Sequence, residues 1–203
     1  MEIKLDHIGR RFNKEWIFRN VDYRFVSGQK YAVLGPNGSG KSTLLSILLG
    51  NLTPSEGELK YSDPDTPVEQ VYQHLSFAGP YLDLVEEFTL TETINFHFQF
   101  KNYAQGLDAK ALIGILGLEK AKDKALKHFS SGMKQRTKLA LACCADTPIL
   151  ILDEPTSNLD EQGVAWYHEL MSRFAGNRIT VIGSNQAHEY DFCDHRLSIT
   201  DYK

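Results

Sequence analysis

The stretch "YAVLGPNGSGKSTLLSILLG", Tyr31 to Gly50, restricts what this chain can fold into more than any other. Gly35 to Ser42 satisfy the pattern G-x-x-x-x-G-K-[ST], with an apolar run before them and an apolar run after. That order predicts a strand, a tight loop and a helix. The glycines let successive backbone N–H groups curl around a phosphate, while the helix points its positive dipole end at the same place. The loop and helix start comprise Gly35, Pro36, Asn37, Gly38, Ser39, Gly40, Lys41, Ser42 and Thr43. Lys41 is placed to reach the β- and γ-phosphates of a nucleotide, and the Ser42 hydroxyl to ligate Mg²⁺. A glycine-rich turn without a ligand is the plainer alternative, and the flanking strand and helix argue against it. Taken alone, the loop suits a small-molecule kinase or a GTPase as well as an ATP-driven motor.

A chain of 203 residues fits one domain with room for a sub-lobe and a real core. Its 42% hydrophobic and 24% charged residues favour neither disorder nor a membrane span. No apolar run approaches the roughly 20 residues a bilayer needs. The opening "MEIKLDHIGRRF" interrupts its apolar residues with charges and has no signal-peptide core. A net charge of -4 argues against a dominant nucleic-acid surface. Cys143, Cys144 and Cys193 match no metal-site spacing, and the first two sit in the apolar run "LALACCA", which predicts a buried helix position and a reducing, cytosolic setting.

Before and after the loop, "KYAVLG", the strand following the turn in "SEGELKY", and "HLSFA" read as strands, and the start of the chain reads as β-rich. "SDPDTP", Ser62 to Pro67, reads as a surface loop. A long helical block is expected from about Thr91 to Ala145, with Thr89 and Glu92 at capping-box spacing and Asp108 as a second cap. Then "PILILD", "EQGVAWYHELMSRF" and "RITVIGS" read as strand, helix and strand. Two strand-to-helix passages argue for a parallel sheet covered by helices. No repeat, low-complexity tract or linker is evident, and the end after "RLSIT" leaves no room for a second domain.

"PILILDEPTSNLD" adds a second constellation. Asp153, at the end of a buried strand, is placed to hold Mg²⁺, and Glu154 to orient or deprotonate an attacking water. A solvated turn with a helix cap would look the same locally. The series "GPNGSGKST", "FSSGMKQRTKLALA", "ILILDEPTSNLD" resembles the nucleotide-binding domain of the ATP-binding cassette (ABC) family, in that family's motif order and over essentially the whole chain. The resemblance implies an α/β fold: a P-loop NTPase core of mostly parallel sheet flanked by helices, an N-terminal antiparallel β subdomain, and an α-helical sub-lobe at about 81–130 within a single domain, 1–203. It implies ATP and Mg²⁺ as ligands, with Glu154 and Lys41 catalytic and Ser42 and Asp153 on the metal. It also implies head-to-tail pairing, as a homodimer or with a related ATPase, in which one subunit's signature closes over the other's ATP. Ser130, Ser131, Gly132 and Met133 occupy the signature's place, with Ser131 standing for a glycine and Met133 for a glutamine; a simple helix N-cap would read alike. Asn158 and Asp160 fall in the D-loop. Phe12 has about the spacing of the aromatic that stacks on adenine, with Trp16 as competitor.

Two positions depart from the family. The Q-loop glutamine falls near Pro80, and Gln73 would need a shifted alignment. The H-loop histidine falls at Asn185, and His188 would need a rearranged loop. Asn185 donates a hydrogen bond but cannot relay a proton. The resemblance implies the ATP-binding and ATP-hydrolysing subunit of a membrane transporter, on the cytoplasmic face and attached to separate transmembrane permease subunits. The alternative is an ATP-dependent dimerisation switch with weak or no hydrolysis. Nucleic acid is not an expected partner, since the coiled-coil insertions and double cassettes of such family members are absent. A plain kinase lacks the signature series and ranks last. Phe96, Phe98 and Phe100 in "INFHFQF" cannot share one helical face, so at least one is a candidate for partner contact.

Overall fold

The structure, a computed structural model, describes residues 1–62 and 64–203. These divide into two compact units: residues 1–75, 148–154 and 177–203 in the first, and 76–147 and 155–176 in the second. Of the expected surface loop Ser62–Pro67, Asp63 lies outside the described residues; Ser62 ends a strand, and Pro64 and Asp65 form a turn.

In the first unit, β1 (Glu2–Phe12), β2 (Glu15–Val26) and β4 (Glu56–Ser62) form an antiparallel sheet in the order β2-β1-β4. Ile3 and Leu5 are buried in alternation along β1. The register then shifts between Leu5 and Ile8, with His7 at φ 51°. This bulge returns Ile8 to the buried side two-residue alternation would have denied it.

The second sheet contains β3 (Lys30–Leu34), β5 (Leu75–Ala78), β6 (Ile149–Asp153), β7 (Ile179–Ser184) and β8 (His195–Ser198), ordered β5-β6-β7-β3-β8. The pairs β6·β7, β7·β3 and β3·β8 are parallel. Every residue of β6 and β7 is buried, as central parallel strands require. Helix α1 (Lys41–Leu48) follows β3, and the short α6 (Ala187–Tyr190) follows β7. The α/β class, the parallel sheet and the antiparallel N-terminal sheet agree with the sequence reading.

In the second unit lie α2 (Leu90–His97), α3 (Ala109–Leu116), α4 (Ser131–Cys143) and α5 (Glu161–Phe174). The capping box at Thr89 and Glu92 is present, and Asp108 caps α3 through the Ala111 N–H. The continuous helical block expected from Thr91 to Ala145 is instead three helices with loops and short 3₁₀ turns between them. Its apolar periodicity is broken by local stops: α3 ends on Gly117 in the left-handed conformation, which releases the chain from the helix. Cys143 and Cys144 are buried at the end of α4, as expected. No helix among the described residues is long and apolar enough to cross a membrane.

Candidate functional site

Strand register assembles one group of polar residues in the first unit. Leu34 pairs with Ser184, and Asp153 with Gly183, so the carboxyl ends of β3, β6 and β7 lie level. From these ends continue the phosphate loop, Glu154 and Asn185. Gly40 begins α1 at φ 108°, and a Cβ there would meet Ile17 Cγ2 at 2.6 Å; both conformation and space demand glycine. Ser39 is 1% exposed and Lys41 4% exposed. The Lys41 Nζ donates to the Gly35 carbonyl at 2.8 Å and to the Pro36 carbonyl at 3.2 Å, which holds the ammonium at the mouth of the loop. Pro36, Asn37, Gly38 and Ser42 are exposed, leaving the cradle open to a ligand.

Asp153 is 3% exposed, and burial pushes its carboxyl above the usual carboxylate range, opposed by a hydrogen bond from Ser42. Its Oδ1 is buried with no hydrogen-bond partner among the described residues. A buried carboxylate oxygen without a donor, beside a serine hydroxyl and a phosphate-binding loop, is the donor set a hard divalent cation takes. Glu154 follows at φ 45°, its N–H bonded to the Gly183 carbonyl at 2.9 Å. Asn185 is exposed, and its Nδ2 donates to Asn37 Oδ1 at 2.9 Å, tying the segment after β7 to the loop before α1. His188 lies exposed in α6. Phe12 ends β1 with its ring 46% exposed and the Arg10 guanidinium 4.5 Å from its centroid. Trp16 is partly buried, with Arg19 at 4.2 Å and Arg11 at 5.4 Å from its ring.

The second unit holds the remaining positions. Ser130 caps α4 by accepting the Met133 N–H at 3.2 Å, and Ser130 and Ser131 are exposed. A Cβ on Gly132 would come 3.0 Å from the Asn158 carbonyl, so the start of α4 and the segment before α5 approach each other closely. Asp160 caps α5 through the Gly163 N–H at 2.8 Å. Ser130, Ser131, Met133, Arg136, Asn158 and Asp160 line one cavity of about 320 Å³. At the Q-loop position, the Pro80 carbonyl accepts from Lys138 Nζ at 3.3 Å. Gln73, in the first unit, donates instead to the Tyr72 hydroxyl at 3.2 Å.

Three groups escaped the sequence reading. Glu189 is fully buried, hydrogen-bonded to Ser184, and its charge adds to the upward push on Asp153. Gln135 is 3% exposed and donates to the Pro155 carbonyl at 2.8 Å. Arg136 faces the signature cavity with its guanidinium 4.7 Å from the Trp166 ring. The only sequence signal for them is a polar residue at an inward position of an amphipathic helix.

Comparison with known proteins bears on this arrangement. A family model described as "ABC transporter" matches residues 18–157, more than half the chain. An uncharacterized ABC transporter ATP-binding protein of Bacillus subtilis, YybJ, is 29% identical over 97% of this chain and 92% of its own. The cytochrome c biogenesis ATP-binding export protein CcmA of Brucella abortus is 31% identical over 84% of this chain and 79% of its own. Among solved structures, the dimeric structure of MJ0796, a bacterial ABC transporter cassette, superposes with a TM-score of 0.80 at 22% identity, covering 97% of this chain and 94% of that one. The chain thus belongs to the ABC transporter family as an ATP-binding subunit.

Proposed function

We propose that the chain binds Mg-ATP on the phosphate loop and hydrolyses it while paired head to tail with a second copy or a related cassette. Pairing and release would drive transmembrane permease subunits from the cytoplasmic face. The observation that carries this reading is the orphaned, buried oxygen of Asp153 beside Ser42 and the phosphate loop. Ser42 Oγ and the Asp153 carboxylate would hold Mg²⁺. The bound ion would supply charge neutralisation on the β- and γ-phosphates. The backbone N–H groups from Gly38 to Thr43 receive the phosphates, and Lys41 turns from the loop carbonyls to the terminal phosphate oxygens. Glu154 orients a water and takes its proton as the water oxygen attacks the γ-phosphorus, and the bond to the β–γ bridging oxygen breaks, so that ADP leaves with that oxygen. Phe12 offers its open ring to the adenine. Ser130 and the N–H groups at the start of α4 close over the partner's γ-phosphate, with Asn158 and Asp160 at the same face.

A groove of about 240 Å³ in the second unit, lined by Phe77, Val85, Phe88, Phe96, Phe100 and Leu141, suits an apolar segment of the membrane subunit. Phe100 is 71% exposed and Phe96 47%, as the incompatible spacing of the aromatic run anticipated, while Phe98 stacks on Tyr103 at 3.6 Å.

Steady-state phosphate release from Mg-ATP tests the reading, with Lys41→Ala and Glu154→Gln alongside. Loss of the general base should lower turnover by about 10²–10⁴-fold. ATP should then trap Glu154→Gln as a dimer in size measurements. Tight ATP binding and dimerisation of the unmodified protein without turnover would favour the switch instead, a reading supported by Asn185 binding Asn37 and by proline at the Q-loop position.

A further inference from the structure

The chain passes from the first compact unit to the second at the Glu154–Pro155 peptide bond. Glu154 stands at φ 45°, a left-handed conformation that a side chain disfavours and that persists only where the surroundings over-determine it. Preceding it, the Glu154 N–H is fixed to the Gly183 carbonyl. Immediately after it comes a proline, which has no N–H, so the residue's carbonyl is its one backbone hydrogen-bonding group. Gln135 Nε2 donates to that carbonyl at 2.8 Å. Gln135 is 3% exposed and Pro155 is buried, so the bond is shielded from competing water.

We infer that Gln135 is a positioning residue for Glu154: its amide pins the carbonyl of Pro155, the residue after the base, and so holds the strained backbone that aims the carboxylate. This rests on the reading of Glu154 as the group that acts on the attacking water. Gln135 touches no reacting atom and acts only through Pro155. Its place on α4 gives the role a consequence. Ser130 and Gly132 begin the same helix, so the element that faces a partner's nucleotide also carries the peg that aims this chain's own base.

The test is phosphate release by the full chain, together with ATP affinity and melting temperature. Gln135→Met removes the donor at near-constant volume. A misaimed base should lower kcat by about 10-fold to 100-fold and leave ATP affinity within about two-fold. Added to Glu154→Gln, the same change should cost nothing further, because the residue it serves is gone. Full kcat in folded Gln135→Met, or an equal fold-loss on the Glu154→Gln background, overturns the inference. Gln135→Glu keeps the shape should the methionine variant melt too early. Its ionised carboxylate accepts only, whereas the protonated acid donates to Pro155. Its deficit should therefore shrink from about pH 8.5 to about pH 6, and a deficit independent of pH also overturns the inference. Absent turnover in the unmodified protein, or turnover indifferent to Glu154→Gln, overturns the reading of Glu154 itself. Turnover that needs Glu154 and ignores Gln135 overturns the positioning role alone.

Discussion

The phosphate loop and the start of α4 present the same chemistry, backbone N–H groups at a helix start with serine hydroxyls nearby, yet the protein surrounds them differently. At the loop, Ser39, Lys41 and Asp153 are almost fully buried, and Lys41 is held by two carbonyls of the loop itself. At α4, Ser130 and Ser131 are exposed, and the Ser130 hydroxyl already serves as a helix cap. The first region is a polar cradle built within one unit. The second is a finished helix end that needs nothing more to be stable. Becoming a ligand site requires something from outside, which is what the proposed head-to-tail pairing would supply.

The comparison breaks if the cap is the whole purpose of Ser130, and one substitution separates the two roles. Aspartate caps a helix as well as serine does. Ser130→Asp should therefore keep the melting temperature, yet set a negative charge against the partner's γ-phosphate. Like charges brought together at an interface cost several kcal/mol, so ATP-dependent dimerisation should be lost while ATP binding to the monomer survives. Ser130→Ala should do the reverse in part, costing about 1 kcal/mol of stability. Normal dimerisation of Ser130→Asp in the Glu154→Gln background, seen by size measurement, would remove the signature role.

A second contrast concerns buried ionisable groups. Asp153 in the first unit and His97 in the second each have a buried polar atom without a partner among the described residues. Burial raises the Asp153 carboxyl, which stands beside Ser42 and the phosphate loop. Burial, assisted by the charge of Lys101, pushes His97 down to about 4, with a backbone bond at Leu141 opposing. His97 is a half-buried ring lining the groove, and its titration should report on stability alone. Its folded value lies below the unfolded one, so the unfolded chain takes up the proton first. Stability is whole above about pH 6.5 and is lost as pH falls toward 4, by about 3 kcal/mol in all. Denaturant unfolding at several pH values should show this loss in the unmodified protein and a smaller one in His97→Gln. Equal slopes would mean that His97 is not held neutral.

How much of this was legible in the sequence follows the same division. The phosphate loop, Asp153 and strands β3, β5, β6 and β7 are local signals: glycines where the backbone needs them, apolar runs where a strand is covered, whereas the short β8 (His195–Ser198) was not read as a strand. The caps at Thr89 and Asp108 were equally local. Interruption of the helical block was not, because "KNYAQG" and the 3₁₀ turns before α4 carry no strong breaker except Gly106 and Gly117. Gln135 and Glu189 were illegible for another reason. A polar residue on a helix reads as solvated until tertiary packing turns it inward, and the partner carbonyl of Pro155 lies 20 residues away in sequence. The bond from Asn185 to Asn37 spans 148 residues, and no period or spacing encodes it.

That bond bears most directly on whether the family's missing histidine matters. Asn185 donates to Asn37 at an exposed position, where one neutral hydrogen bond is worth about 0.5–1.5 kcal/mol. If its work is to brace the loop, Asn185→Ala and Asn37→Ala should each weaken ATP binding by no more than about ten-fold, and the double variant should be no worse than either single one. Turnover at saturating ATP should hardly change, since a brace acts on the loop before chemistry begins. A residue that instead reaches the terminal phosphate would show the opposite split: kcat would fall in Asn185→Ala and stay intact in Asn37→Ala, and the two effects would add. The bond to Asn37 Oδ1 is the observation behind the brace, and the second hydrogen of the same Asn185 amide is the one that a contact with the terminal phosphate would use.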